Sequence, residues 1–182
     1  MSHAGASVEI VAAGRDAQDC LAALFELYAY DLSDILSIDV ADSGRFAVPQ
    51  LDAYWTDPRC HAFLVRVDSK LAGFALVQER SRLTGDEGVC DMAEFFVMRR
   101  FRRRGVGEHV AAWLFDRFPG PWEVRQKTRN VAGTAFWRHA IGAYTGGRFD
   151  EVVMDDARWH GPVQRFDSRD NLRQSGASKH SP

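Results

Sequence analysis

The stretch RRFRRRGVGEHVAAWLF, residues 99–115, places five arginines in six positions directly ahead of Gly-Val-Gly and an apolar pattern at helical spacing. A cluster of this kind can be a nucleic-acid patch, a solvated edge, or a loop that holds an anion. The neighbours separate these readings. VCDMAEFFVM, residues 89–98, has the apolar and aromatic content of a strand, and Val110, Trp113 and Leu114 give the following helix an inward face. A strand that ends in a glycine turn and opens a helix leaves unpaired N–H groups in the first helical turn, where an anion fits. Gly105 and Gly107 let the backbone approach a phosphate, and Arg102, Arg103 and Arg104 can surround it with charge.

The loop is not GxxxxGK[ST], and it lacks the third glycine and the acidic ribose partner of a dinucleotide fingerprint. Across 182 residues, 23 Lys and Arg nearly balance 25 Asp and Glu, so the arginine run is local and a nucleic-acid-coating role is disfavoured. Cys20, Cys60 and Cys90 are isolated and form no metal or disulfide pattern, which gives the expectation of no metal and a reducing, cytoplasmic home. Neither a basic start with an apolar block nor a run near the roughly 20 apolar residues of a membrane span is seen, so no membrane association is expected.

Working outward, Val8–Ala12 reads as a strand, and Asp16 is placed to cap a helix through Leu21, Leu24, Phe25 and Tyr28 that ends near Asp31. Residues 31–60 read as a broken segment with a short helix around Gln50–Trp55. HAFLVRV and LAGFALVQER, joined by Asp68-Ser69-Lys70, read as an antiparallel hairpin. Beyond the arginines come a helix over about 105–117, a strand at WEVRQK, a helix opened by Asn130, and the strands FDEVVM and GPVQRF. The fold class is therefore α/β (α+β): a mixed, mostly antiparallel sheet of six to seven strands flanked by helices, with one parallel pair at the strand-helix-strand crossover. Residues 1–168 are expected to form a single domain and the polar segment 169–182 a disordered tail.

Arg102-x-x-Gly105-x-Gly107 after a strand, with Val97 five residues before the arginine, resembles the hallmark of the GNAT superfamily of acyl-CoA-dependent N-acetyltransferases, and the order of elements over about residues 7–166 is similar too. The resemblance implies that the amides of Arg103, Arg104, Gly105, Val106, Gly107 and Glu108 bind the pyrophosphate of acetyl-CoA. It further implies that Phe96, Val97 and Met98 present backbone groups to the pantetheine arm. Asn130-x-x-Gly133-x-x-Phe136-Trp137 matches a second family signature, which makes Asn130 and Phe136 cofactor contacts; a helix N-cap is the plain alternative for Asn130. The tyrosine that commonly protonates the departing thiolate is replaced by Trp137, which leaves Tyr144, then His139, as sources of that proton.

An alkylammonium must lose a proton before it can attack a thioester, so a base is sought. Glu94, among Met92, Ala93, Phe95 and Phe96, is the first choice and Asp91 the second; strand alternation puts them on opposite faces unless a bulge intervenes. For Glu94 the plain alternative is a salt bridge to a nearby arginine. Cys90 as an acyl carrier is the competing mechanism. Tyr28, Tyr30, Asp31, Asp34, Asp39, Asp42, Tyr54, Trp55, Trp159 and His160 offer carboxylates and aromatics to a cationic acceptor. The implied activity is acetyl transfer from acetyl-CoA to a primary amine by direct attack in a ternary complex. The alternative is a non-catalytic acyl-CoA-binding sensor of the same fold. The acceptor is not named by the sequence, and a homodimer is left open.

Overall fold

Seven strands are hydrogen-bonded into one sheet in the computed structural model, which describes residues 6–47 and 49–171. They are β1 (Val8–Ala12), β2 (Cys60–Val67), β3 (Lys70–Gln78), β4 (Cys90–Val97), β5 (Pro121–Arg125), β6 (Asp150–Asp156) and β7 (Trp159–Asp167). The helices are α1 (Gln18–Leu36), α2 (Ala53–Thr56), α3 (Val106–Arg117) and α4 (Val131–Thr145). The strand order is β1-β2-β3-β4-β5-β7-β6, and the parallel pair is β4 with β5, in register from Cys90↔Trp122 to Met92↔Val124. That pair encloses α3 in the chain, as a crossover requires. All seven strands and the parallel pair agree with the sequence reading. Among the described residues no helix is long and apolar enough to cross a membrane.

The chain divides into two compact units, one built from residues up to Val77 with Ala93–Val110, the other from Gln78–Met92 and the residues from Ala111 onward. In the first, β1 pairs antiparallel with β2, and β2 turns into β3 through Asp68 and Ser69, both at positive φ (49° and 62°), the twist that a two-residue hairpin turn needs. One face of α1 buries Leu21, Leu24 and Phe25 against Ala62, Leu64, Phe74, Leu76 and Phe96. The helix runs on to Leu36, beyond the expected end near Asp31, because Tyr28, Leu32 and Ile35 continue the three-to-four spacing; it closes at Ser37 in the left-handed region. Asp16 does not cap it: Arg15–Ala17 form a 3-10 turn, and Ala17 at the N-cap makes no side-chain bond. The short helix begins three residues later than expected, at Ala53, and ends at Thr56, ahead of Asp57, which is extended (φ −96°, ψ 119°) because it precedes Pro58.

In the second unit β7 pairs antiparallel with both β5 and β6. Its core is aromatic: Phe115 meets Trp122 edge-on at 5.0 Å and Phe166 at 4.8 Å. Ser168 is fully buried, accepting from the Gly120 amide through its hydroxyl (3.0 Å) and donating its own amide to the Gly120 carbonyl (2.9 Å). Of the segment read as a disordered tail, 169–171 form a helical turn, and 172–182 lie outside the described residues.

Candidate active site

The arginine-glycine loop lies wholly in the first unit. A 3-10 turn over Arg99–Phe101 buries Phe101, Arg102 is extended (φ −71°, ψ 162°), Arg103 is left-handed (φ 58°), and so is Gly105 (φ 74°). The Val106 and Val110 side chains anchor α3 in the core, and the His109 amide bonds the Gly105 carbonyl at 2.9 Å. α-Helix geometry leaves the amides of the first turn without an intrahelical acceptor. Two left-handed residues ahead of that turn curl the backbone into the concavity that suits an anion. A left-handed arginine costs about 1–2 kcal/mol, so the surrounding structure must hold it there. A Cβ built on Gly105 would meet nothing within 4 Å, so the loop is open on that side. This arrangement fits a diphosphate.

The three loop arginines are not equivalent. Arg102 donates from Nε to the Val97 carbonyl (2.6 Å), pairs through Nη2 with Asp31 of α1, and lies 5.8 Å over the Phe96 ring. Arg99 donates from Nε to the other Asp31 oxygen at 2.6 Å. Burial alone would raise the Asp31 pKa, but the bonds and charges of Arg102 and Arg99 outweigh it and hold the carboxyl below its ordinary range. Arg102, grouped with the phosphate ligands in the sequence reading, therefore points its guanidinium at α1 and the end of β4. Arg99 is exposed and bound to Asp31. Arg103 and Arg104 are exposed too.

The end of β4 is held closely. The Met98 amide donates to the Ala72 carbonyl at 2.8 Å, and the Val97 carbonyl is taken by Arg102, so two of the backbone groups expected to face a pantetheine arm have partners within the protein. A Cβ on Gly73 would stand 1.9 Å from the Phe96 carbonyl oxygen and 3.1 Å from the Val97 Cα. Only glycine fits opposite that point.

The two carboxylates of β4 differ in kind. Tyr28 of α1 donates its hydroxyl to Glu94 Oε2 at 3.0 Å, within the first unit. A tyrosine is thus one partner of Glu94. Asp91, in the second unit, is fully buried and takes two bonds from Arg125, Nε to Oδ1 and Nη2 to Oδ2, each 2.8 Å. Arg125 in turn lies 4.5 Å over the Trp159 ring. An aspartate committed to a bidentate buried pair has a structural task.

Tyr144, Asn130, Phe136, Trp137, Cys90, Trp159 and His160 fall in the second unit. Tyr144 donates its hydroxyl to Asp116 Oδ1 (2.7 Å), and burial followed by Asp116 holds its pKa above the ordinary value, which makes it a weak proton donor at neutral pH. Asn130 caps α4, its Oδ1 accepting from the Gly133 amide at 3.0 Å. Phe136 packs edge-on against Trp137 at 4.9 Å, and Trp137 is buried with Phe115 at 6.4 Å. The Cys90 thiol is pushed up to about 12, chiefly by burial and then by Glu79 and Asp91, so a thiolate acyl carrier is disfavoured. Trp159 also carries Lys127 at 3.8 Å, and His160 Nδ1 meets Asp155 at 2.7 Å. On the acceptor-side segments of the first unit, Tyr30 is exposed, as are Asp34, Asp39 and Asp42, while Tyr54 and Trp55 are half-buried against the core.

Three features escaped the sequence reading: the Tyr28–Glu94 bond, the Asp31 clamp, and the contact that demands Gly73. The first two share a signal, since Tyr28 and Asp31 are three apart and lie on one face of α1. Nothing local marks their partners, 66 to 71 residues away.

The sheet with its single parallel pair, and the glycine loop that opens α3, define an acetyltransferase architecture. Similar solved structures include an acetyltransferase from Thermus thermophilus (TM-score 0.64, 13% identity, covering 88% of this chain and 97% of that one). A spermidine N-acetyltransferase from Vibrio cholerae in complex with CoA and spermine is similar at TM-score 0.60 and 10% identity (91% and 98% covered). The PaiA N-acetyltransferase from Thermoplasma acidophilum in complex with coenzyme A gives TM-score 0.57 and 10% identity (88% and 99% covered). A search of curated proteins finds no match. The model of the Acetyltransferase (GNAT) family matches residues 23–142, and the chain belongs to that family.

Proposed function

We propose that the protein transfers the acetyl group of acetyl-CoA to a primary amine of a small molecule or protein, by direct attack in a ternary complex. The observation that carries this reading is the loop geometry: left-handed Arg103 and Gly105 lead into the open first turn of α3, in the same unit as Glu94. The amides of 103–108, with the exposed side chains of Arg103 and Arg104, hold the diphosphate. Arg102 keeps the loop in register through Asp31 and Val97. Acetyl-CoA supplies a thioester carbonyl, a carbon open to a neutral amine. Glu94 takes the proton of the alkylammonium, directly or through water, so that the lone pair is available as the C–N bond forms and the C–S bond breaks. Solvent is the proton source for the thiolate in this reading, with the Trp137 indole buried and Tyr144 holding its proton.

The test is release of free thiol from acetyl-CoA over a panel of amines: simple alkylamines, diamines, spermidine and spermine, aminoglycosides, and lysine peptides. Glu94→Gln should lower turnover by about 10²-fold or more while leaving CoA binding intact. A second reading, an acyl-CoA-binding module without turnover, is favoured by the buried indole of Trp137 where the family commonly has a tyrosine. Saturable acetyl-CoA binding with no thiol released by any member of the panel would select it over the first.

A further inference from the structure

We propose that Tyr28 is a positioning residue for the Glu94 carboxylate, a fixed donor that sets both its orientation and its basicity. This rests on the reading of Glu94 as the amine's base. The tyrosine hydroxyl donates to Glu94 Oε2 at 3.0 Å, and the ring that carries it is wedged among three phenylalanines: Phe25 at 5.9 Å, Phe74 at 5.7 Å and Phe96 at 5.5 Å. Phe74 is wholly buried, and Phe25 and Phe96 nearly so, which leaves the ring little freedom. One carboxylate oxygen is thereby pinned to a rigid point on α1, the condition for a base that must meet its proton in one geometry.

The hydroxyl is a donor and not a proton carrier. Burial, then the charge of Glu94 and the bond to it, and last the charge of Asp31, hold the phenol well above its ordinary pKa, so it keeps its proton through the working range. Among the charges near the pair is Asp31, one turn along α1, itself paired with Arg99 and Arg102. Tyr28 is the donor that α1 places on Glu94. A hydrogen bond to the ionised form favours that form, so the donor lowers the carboxyl's pKa below what the same pocket would impose without it. Too high a value would leave the base protonated at neutral pH.

The test is Tyr28→Phe, which keeps the ring contacts and removes one oxygen. The Glu94 carboxyl carbon, followed by NMR in ¹³C-glutamate protein and assigned by its loss in Glu94→Gln, should titrate about one pH unit higher than in the wild type, the shift expected for one charge-assisted bond. The acidic limb of kcat/KM, measured with an amine accepted in the thiol-release panel, should rise by the same amount. In a Glu94→Gln background Tyr28→Phe should change turnover less than twofold. An unmoved NMR midpoint in a folded variant overturns the proposal, as does an undiminished effect of Tyr28→Phe in the Glu94→Gln background. A midpoint that moves while the acidic limb does not supports the hold of Tyr28 on the carboxylate and overturns instead the reading of Glu94 as base.

Discussion

Gly73→Ala adds one methyl group, yet the structure makes it among the most damaging small changes in the first unit. The new Cβ would stand 1.9 Å from the Phe96 carbonyl oxygen, 2.9 Å from its carbon and 3.1 Å from the Val97 Cα, all main-chain atoms that cannot rotate aside. Reaching even a 3.0 Å contact requires about 1.1 Å of separation between β3 and the end of β4. The Met98 to Ala72 bond, 2.8 Å in the native chain, would then stretch to about 3.9 Å and be lost. Overpacking at about 1–3 kcal/mol and one buried unmade bond at about 1–3 kcal/mol put the loss near 3 kcal/mol or above. For a chain of this size that is a fall in Tm of roughly 6–12 °C. CoA affinity should fall with it, because the displaced strand leads straight into the phosphate loop. Gly105→Ala is the control: φ is 74° but nothing lies within 4 Å of the new Cβ, so it should cost only the left-handed penalty of about 1–2 kcal/mol. Thermal unfolding followed by circular dichroism measures both. A Gly73→Ala variant that melts within 2 °C of the wild type, or higher than Gly105→Ala, would refute the close-approach argument.

Asp91→Asn should cost about 3–5 kcal/mol by stranding the buried Arg125 guanidinium, measurable by urea unfolding, whereas the acidic limb of its kcat/KM profile should stay where the wild type has it. Asp31→Asn should blunt acid destabilisation: a carboxyl held below its ordinary pKa contributes stability above its unfolded value near 4 and loses it as pH falls through the folded value. Unfolding midpoints between pH 6 and pH 3 should therefore drop less steeply in the variant. Tyr144→Phe should leave turnover within about twofold, since the hydroxyl is bound to Asp116 and holds its proton. Arg103→Ala with Arg104→Ala should weaken CoA binding and flatten its salt dependence at little cost in Tm, because both side chains are exposed.

The strands were legible because each carries its own alternation or apolar run, and the crossover because glycine and proline punctuate the chain on both sides of α3. Asn130 showed itself as a helix cap for the same reason: the donor it serves, Gly133, is three residues away. What stayed hidden was long-range. The sequence ranked Glu94 ahead of Asp91 on its apolar neighbours, but their partners, Tyr28 and Arg125, lie far along the chain and no local pattern marks them. Arg102 stood in the sequence as the motif arginine, grouped with the phosphate ligands; that it turns back to Asp31 depends on where α1 lies, which no local pattern encodes. The extra turn of α1 was readable in Leu32 and Ile35, but the surrounding aspartates masked it.

The most direct test is a crystal structure of the chain with bound CoA. The account predicts the diphosphate oxygens within hydrogen-bond distance of main-chain amides among residues 103–108, with the sulfur carried toward Glu94. A diphosphate bound at any other place on the chain would contradict it.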